Sequence, residues 1–194
     1  MRDNKGLQAF PEYSVGLYGN FGFQAYDVNK KRMVLACRKK NQITNAGREA
    51  LLELLFQDPA GTVPQQNPNY NQIWSLSIGT GTLPPTLADT QLVSPVYTSA
   101  LNFAGGELVK SVLAPTTYEL VISKTIPAGT LADGTEVTEA GIFTRGSADG
   151  PGVGTWESIT YRRMYARQAH PVITITSALA ITYEWRLGIT IQGS

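Results

Sequence analysis

The sequence predicts a mainly β protein, an antiparallel β-sandwich or jelly roll of eight or nine strands with one packed α-helix. Three observations carry this. The 19 glycines and 11 prolines are spread along the chain rather than pooled in a linker, so they punctuate many short elements. The C-terminal segment alternates strictly: Leu179, Ile181, Tyr183, Trp185, Leu187, Ile189 and Ile191 are apolar, and the intervening residues are polar or small. Only one segment has helical periodicity.

Taken in order, Tyr13 to Tyr18 and Phe21 to Tyr26 flank Gly19-Asn20, which reads as a two-residue hairpin turn. This aromatic-rich hairpin occupies about residues 10–26. Met33 to Arg38 follows as a third strand. Thr44 is placed to cap a helix running to Leu55, with Gly47, Ala50, Leu51, Leu54 and Leu55 on one face. That helix stops before Asp58-Pro59-Ala60-Gly61, and the Pro/Gln/Asn-rich residues Thr62 to Asn71 read as a surface loop. Trp74, Leu76 and Ile78 alternate with serines in a short strand closed by Gly79-Thr80-Gly81. Tyr118 to Ile126 is a strand ended by Pro127-Ala128-Gly129, and the Ala132-Asp133-Gly134-Thr135 turn leads into a strand from Val137 to Thr144. Val172 to Thr176 is β-branched throughout, and Ser177-Ala178 reads as a hairpin turn into the last strand. Residues 1–194 are expected to form a single domain. A chain of this length buries roughly 70% of its unfolded surface and needs no staple.

Composition narrows the functional classes. Sixteen basic and 15 acidic residues leave a net charge of +1, so nucleic acid is not expected as a partner. A single cysteine, Cys37, excludes an intramolecular disulfide framework, and a single histidine, His170, excludes His-rich metal clusters. No cofactor is expected. The polar start Met1-Arg2-Asp3-Asn4-Lys5 is not followed by the apolar run of a signal peptide, and no stretch approaches the ~18 apolar residues of a membrane span. A soluble protein made in a cytoplasm is the expectation. Charged residues are 16% of the chain, against about 25% in ordinary domains. Either another chain covers part of the surface, or the surface is rich in Thr, Ser, Gln and Asn.

Catalytic patterns are thin. Ser77-Ile78-Gly79-Thr80-Gly81-Thr82 follows a strand as a phosphate loop would, but Leu83-Pro84-Pro85 comes next, without a lysine or a helix. Gly150-Pro151-Gly152-Val153-Gly154 reads as a loop tip. His170, before Pro171, reads as a surface or turn histidine. Glu136 with Glu139, or Asp133 with Glu139, could make a glycosidase-like carboxylate pair, a spacing found in any chain. Asp89 and Asp133 lie in turn contexts. The chain is expected not to be an enzyme.

Two clusters point to interaction. Lys30-Lys31-Arg32 and Arg38-Lys39-Lys40 hold six of the 16 basic residues. They mark either contact with a phosphate backbone or acidic neighbour, or two solvated turns around a strand. Phe10, Tyr13, Tyr18, Phe21, Phe23 and Tyr26 are six of the 18 aromatic residues. They belong either to the core or to a subunit interface, and they are the candidate interface residues.

Four sequence blocks add a family likeness. Asn41-Gln42-Ile43-Thr44-Asn45-Ala46-Gly47-Arg48 precedes Leu51-Leu52 and Leu54-Leu55. Ile78-Gly79-Thr80-Gly81-Thr82 precedes Pro85-Thr86, Asp89-Thr90 and Leu92. Val137 to Phe143 contains Thr138-Glu139-Ala140-Gly141. Tyr165-Ala166-Arg167 precedes Pro171-Val172 and Trp185. In this order, over roughly residues 41–191, they resemble a group of tailed-bacteriophage virion proteins. The resemblance implies a structural particle component of the tail, neck or capsid surface, with no catalytic residues to carry over. Its partners would be copies of itself and other virion proteins, and its location the virion, assembled in the host cytoplasm. A carbohydrate- or receptor-binding module of the virion, with Trp74, Trp156 or Tyr161 stacking on sugar, is the alternative. Glu139 is expected to accept backbone amides or to pair with Arg48 or Arg167, and Trp185 to be buried with its indole N–H on an acceptor.

Overall fold

Alternating apolar residues bury one face of each strand, and two such faces closed on each other make the architecture of this protein. The computed structural model describes residues 13–48, 73–101, 105–114, 117–144 and 164–193. Its strands are β1 (Tyr13–Asp27), β2 (Arg32–Lys40), β3 (Gln42–Ile43), β4 (Ile73–Gly79), β5 (Pro95–Ala100), β6 (Leu108–Ala114), β7 (Thr117–Ile126), β8 (Glu136–Thr144), β9 (Met164–Thr174) and β10 (Leu179–Gly193). They form two five-stranded sheets with all pairs antiparallel, in the orders β2-β1-β10-β7-β6 (sheet A) and β3-β9-β8-β4-β5 (sheet B). Apolar residues of both sheets share one main core, so the predicted β-sandwich is what the chain forms.

The last strand is central, as its alternation requires. β10 pairs with β1 on one side and β7 on the other. Leu179, Ile181, Tyr183, Trp185 and Leu187 are all buried, whereas Thr182, Glu184 and Arg186 between them are partly exposed. Trp185 stands beside Phe21 on β1 and Ile122 on β7. Its ring meets that of Phe21 edge-on at 4.8 Å and stacks with Tyr183 at 6.1 Å. The expected acceptor for the indole is not found: Nε1 is buried without a hydrogen-bond partner among the described residues.

Three sequence expectations change. Gly19-Asn20 is not a turn. β1 runs straight through it for 15 residues, and the chain reverses at residues 28–31 instead. There the Asp27 carboxylate accepts the Asn29 and Lys30 amides at 3.0 and 2.9 Å, an Asx-type turn, with Lys31 at φ 51°. Ser177-Ala178 is a turn, closed by Leu179 N–H to Thr176 C=O at 2.9 Å, but it makes no hairpin. It carries the chain from β9 in sheet B to β10 in sheet A, since both strands are needed to line the core from opposite sides. The described strands number ten, three of them unforeseen: two-residue β3, and β5 and β6 where the sequence offered little alternation. The turns at Gly129 (φ 78°) and Gly134 (φ 81°) stand where predicted. Of the helix, residues 45–48 are described; its continuation to Leu55 and the loop at 62–71 lie outside the described residues.

Replacing Trp185 by Ala is expected to cost on the order of 3–5 kcal/mol, read as a lower denaturant midpoint of the isolated protein. Thr182→Ala, on the outward face with its hydroxyl 2.9 Å from that of Thr125, is expected to cost about 1 kcal/mol or less. Equal midpoints for Trp185→Ala and wild type would contradict the face assignment.

Candidate functional site

β8 has two buried faces. Ala140 and Ile142 point into the main core, so Glu139, Gly141 and Phe143 point away from it. An outward strand face is normally wet, yet these residues are enclosed by the chain between β4 and β5, which lies over them. Leu92 packs with Phe143 and Met164 in a second small cluster, above the bare backbone of Gly141.

Glu139 holds this cover in place. It is fully buried. One oxygen, Oε1, accepts the amides of Gly81 (3.1 Å) and Ser94 (2.9 Å); the other, Oε2, accepts the Val93 amide (3.2 Å) and Nε and Nη2 of Arg167, both at 2.8 Å. Arg167, 1% exposed, continues the network. Its Nη1 meets Asp89 Oδ2 at 2.7 Å, and its Nη2 donates to the Leu83 carbonyl at 2.9 Å. Asp89 in turn accepts the backbone N–H and the hydroxyl of Thr86. Burial works against the guanidinium charge, but the hydrogen bonds to Asp89 and Glu139 outweigh it and raise the Arg167 pKa. Burial also opposes ionisation of Asp89, and Thr86 and Arg167 together hold its carboxyl below the usual value. Thus the Gly81 amide, which a phosphate loop would offer to an anion, is given to the protein's own carboxylate. A side chain at Gly81 would collide with that carboxylate.

The first sequence block is used the same way. Asn41 is where the chain leaves sheet A for sheet B: its N–H still bonds the Gly19 carbonyl of β1 at 2.7 Å, while Gln42 and Ile43 already pair with Arg167 and Ala166 of β9. Thr44 caps the helical segment as predicted, its hydroxyl accepting the Gly47 amide at 3.1 Å and donating to the Met164 carbonyl. A side chain at Gly47 would strike the Tyr165 backbone. Arg48 is exposed, with no acidic partner among the described residues; of the two arginines expected for Glu139, Arg167 is the one it takes.

The remaining candidates are dispersed. Phe21 and Phe23 are 1% and 2% exposed and belong to this chain's own core, which removes them from the candidate interface. Tyr18 points outward and lies across Gly188, with its hydroxyl 3.4 Å from Glu119 Oε1. Glu119, itself buried, and Glu184 both pair with Arg186, a network the sequence reading missed because it joins β7 to β10 across 67 positions. Tyr26 is exposed. Tyr13 lies on β1, and its side chain, Phe10 and the sugar-stacking candidates Trp74 (side chain), Trp156 and Tyr161 lie outside the described residues, as does the 150–154 loop tip. Glu136 and Asp133 are exposed, whereas Glu139 is buried and ion-paired, so they do not present a carboxylate pair with it. Among the described residues no three His, Cys, Asp or Glu side chains form a metal-binding group.

His170 is neither on the surface nor in a turn. It sits within β9, 7% exposed, with ring centroids 4.8 Å from Phe23 and 5.9 Å from Phe21. Nδ1 lies 2.8 Å from the Pro171 carbonyl and Nε2 3.3 Å from the Tyr183 hydroxyl, which suits a neutral ring donating from Nδ1. It fills an aromatic layer that the sequence alone could not close around it. Comparison with protein-family models, curated proteins and solved structures gives no match for this chain.

Two outcomes follow from this geometry. Glu139→Gln and Arg167→Met are each expected to cost about 3–5 kcal/mol by stranding a buried charge, and the double variant less than their sum. Urea denaturation of the four proteins checks this; additivity would mean that the pair is not coupled. The second outcome concerns pH. Burial pushes His170 down from 6.5 to about 4, with Lys39 adding to the effect and the Pro171 carbonyl opposing it. The unfolded chain therefore binds this proton first as pH falls. The stability tied to a neutral His170 is complete above pH 6.5 and is lost as pH falls towards 4, by about 1.4 kcal/mol per pH unit. His170→Gln is expected to lack this component, so the gap between the two urea stabilities should narrow from pH 7 to pH 4. A constant gap would contradict a neutral buried ring.

Proposed function

We propose that the chain is a non-enzymatic structural component of a tailed-bacteriophage particle, acting by self-association and by docking to neighbouring virion proteins in the tail, neck or capsid surface. The observation that carries this reading is the convergence of the sequence blocks. Residues 41–48, 78–92, 137–143 and 165–167 lie far apart in the chain, yet they meet around Arg167 and β9. Their polar groups bind one another: Glu139 with Arg167, Asp89 with Thr86, Thr44 with Gly47. What recurs in the resemblance is thus a way of holding a sandwich and its covering loop, as befits a particle component recognised through its surface. The sparse charge of the chain, 16% of residues, suits a protein partly covered by others. Among the described residues no helix is long and apolar enough to cross a membrane.

The test is direct. The protein is expected to band with gradient-purified particles of the phage that encodes it and to cross-link there to other virion proteins. In isolation it is expected to scatter light as more than one 21.0 kDa chain. Absence from purified particles, together with a single 21.0 kDa species at all concentrations, would overturn the reading.

A further inference from the structure

β1 is longer than the strand that borders it. It pairs with β10 over its whole length, Tyr13 with Gly193 to Asp27 with Leu179, but β2 covers only Asn20 to Asp27. At Asn41 the chain turns away into sheet B. Among the described strands none borders the segment from Tyr13 to Gly19 on its β2 side. The Gly19 carbonyl points to that side, since it accepts the Asn41 amide. In an antiparallel strand alternate residues direct both backbone groups the same way, so Leu17 and Val15 present N–H and C=O there too. An open groove of about 1090 Å³ stands at this step, between Tyr18 and Gly19 of β1, the Lys40-Asn41 corner, Arg48 and Leu87 of the covering loop.

The groove has a definite charge. Lys40 and Arg48 are both exposed, neither has an acidic partner among the described residues, and no acidic residue is among the described residues lining it. Within the first sequence block Ile43 is in the core, Thr44 caps and Gly47 admits the Tyr165 backbone, whereas Arg48 is exposed. Along β2 itself, Arg32, Arg38, Lys39 and Lys40 line the sheet edge, and edge lysines discourage strand pairing. Among the described residues, the step beyond Lys40 is where no strand pairs with the β2 side of β1, and Lys40 and Arg48 flank it.

We propose that this step takes an extended acidic segment of a neighbouring protein as an added strand beside residues 13–19 of β1. Backbone pairing with Val15, Leu17 and Gly19 would give affinity, and carboxylates meeting Lys40 and Arg48 would give register and choice of partner. This rests on the docking reading above and names the chemistry of the partner.

The test uses the full chain and a capped peptide of alternating valine and glutamate, about eight residues long, enough to span the open segment. Its glutamine analogue and a lysine analogue serve as comparisons, with binding followed by fluorescence polarisation. The glutamate peptide is expected to bind about tenfold or more tightly than the glutamine analogue. In the Lys40→Glu/Arg48→Glu variant, changed only at exposed positions and checked for folding by circular dichroism, the preference should turn to the lysine peptide. Hydrogen exchange at the Val15 and Leu17 amides should slow on binding. No binding, equal binding of the glutamate and glutamine peptides, a preference unmoved by the charge reversal, or unchanged exchange at those two amides would each overturn the proposal. None of these readouts needs a phage particle. Peptide binding by a protein absent from particles would leave the slot and remove the virion reading; a particle-bound protein that ignores the peptide would do the reverse.

Discussion

The buried pair of Glu139 and Arg167 is the constraint on which the rest of sheet B depends. Two charges removed from water are costly unless their hydrogen-bonding capacity is filled. Here Glu139 takes three backbone amides and the guanidinium, and Arg167 takes a second carboxylate and a backbone carbonyl as well. Every one of those backbone partners belongs to the chain between β4 and β5. The pair's hydrogen-bonding capacity therefore cannot be filled unless that chain lies over β8, where the Thr138 hydroxyl also donates to the Gly81 carbonyl at 2.9 Å. Leu92 then covers Gly141, Phe143 and Met164. An ion pair that contributes little net stability by itself still selects one loop conformation, because any other leaves the remaining hydrogen-bonding capacity of the two charges unfilled.

This makes the two outer faces of the sandwich unequal. Sheet B carries its own cover. The outer face of sheet A carries Gln24, Thr125 and Thr182, the rings of Tyr18 and Tyr26, and the Glu119–Arg186–Glu184 network. Its β2 border is basic, and beyond Lys40 no described strand pairs with that side of β1. On the function proposed above, the covered side would be the scaffold and the β1 edge the place where a second chain is received.

The core shows why one histidine and several aromatics sit where they do. Phe21, Phe23, His170, Tyr183 and Trp185 pack ring against ring across the two sheets. β1 and β10 bring the four carbocyclic and indole rings from sheet A, and β9 supplies His170 from sheet B. Burial keeps the imidazole neutral, so it serves as a packing ring that also meets the Tyr183 hydroxyl.

The sequence by itself determined the local elements: the alternation of Leu179 to Leu187, the β7 strand and its Gly129 and Gly134 turns, the Thr44 cap, and Glu139 as a structural carboxylate. These depend on periodicity and on the conformational preferences of single residues, which act over a few positions. Tertiary structure alone decided the rest. Gly19-Asn20 has the chemistry of a turn, but pairing with β10 along fifteen residues outweighs it. Ser177-Ala178 turns the chain between sheets because β9 and β10 must face each other across the core. His170, Asp89 and Arg167 acquire their roles from neighbours 13 to 149 positions away, such as Tyr183, Arg167, Pro84 and Phe21, and no spacing rule reports such distances. The open step beside β1 is likewise invisible in sequence, since it is made by where β2 ends relative to β10, a property of register and not of any residue.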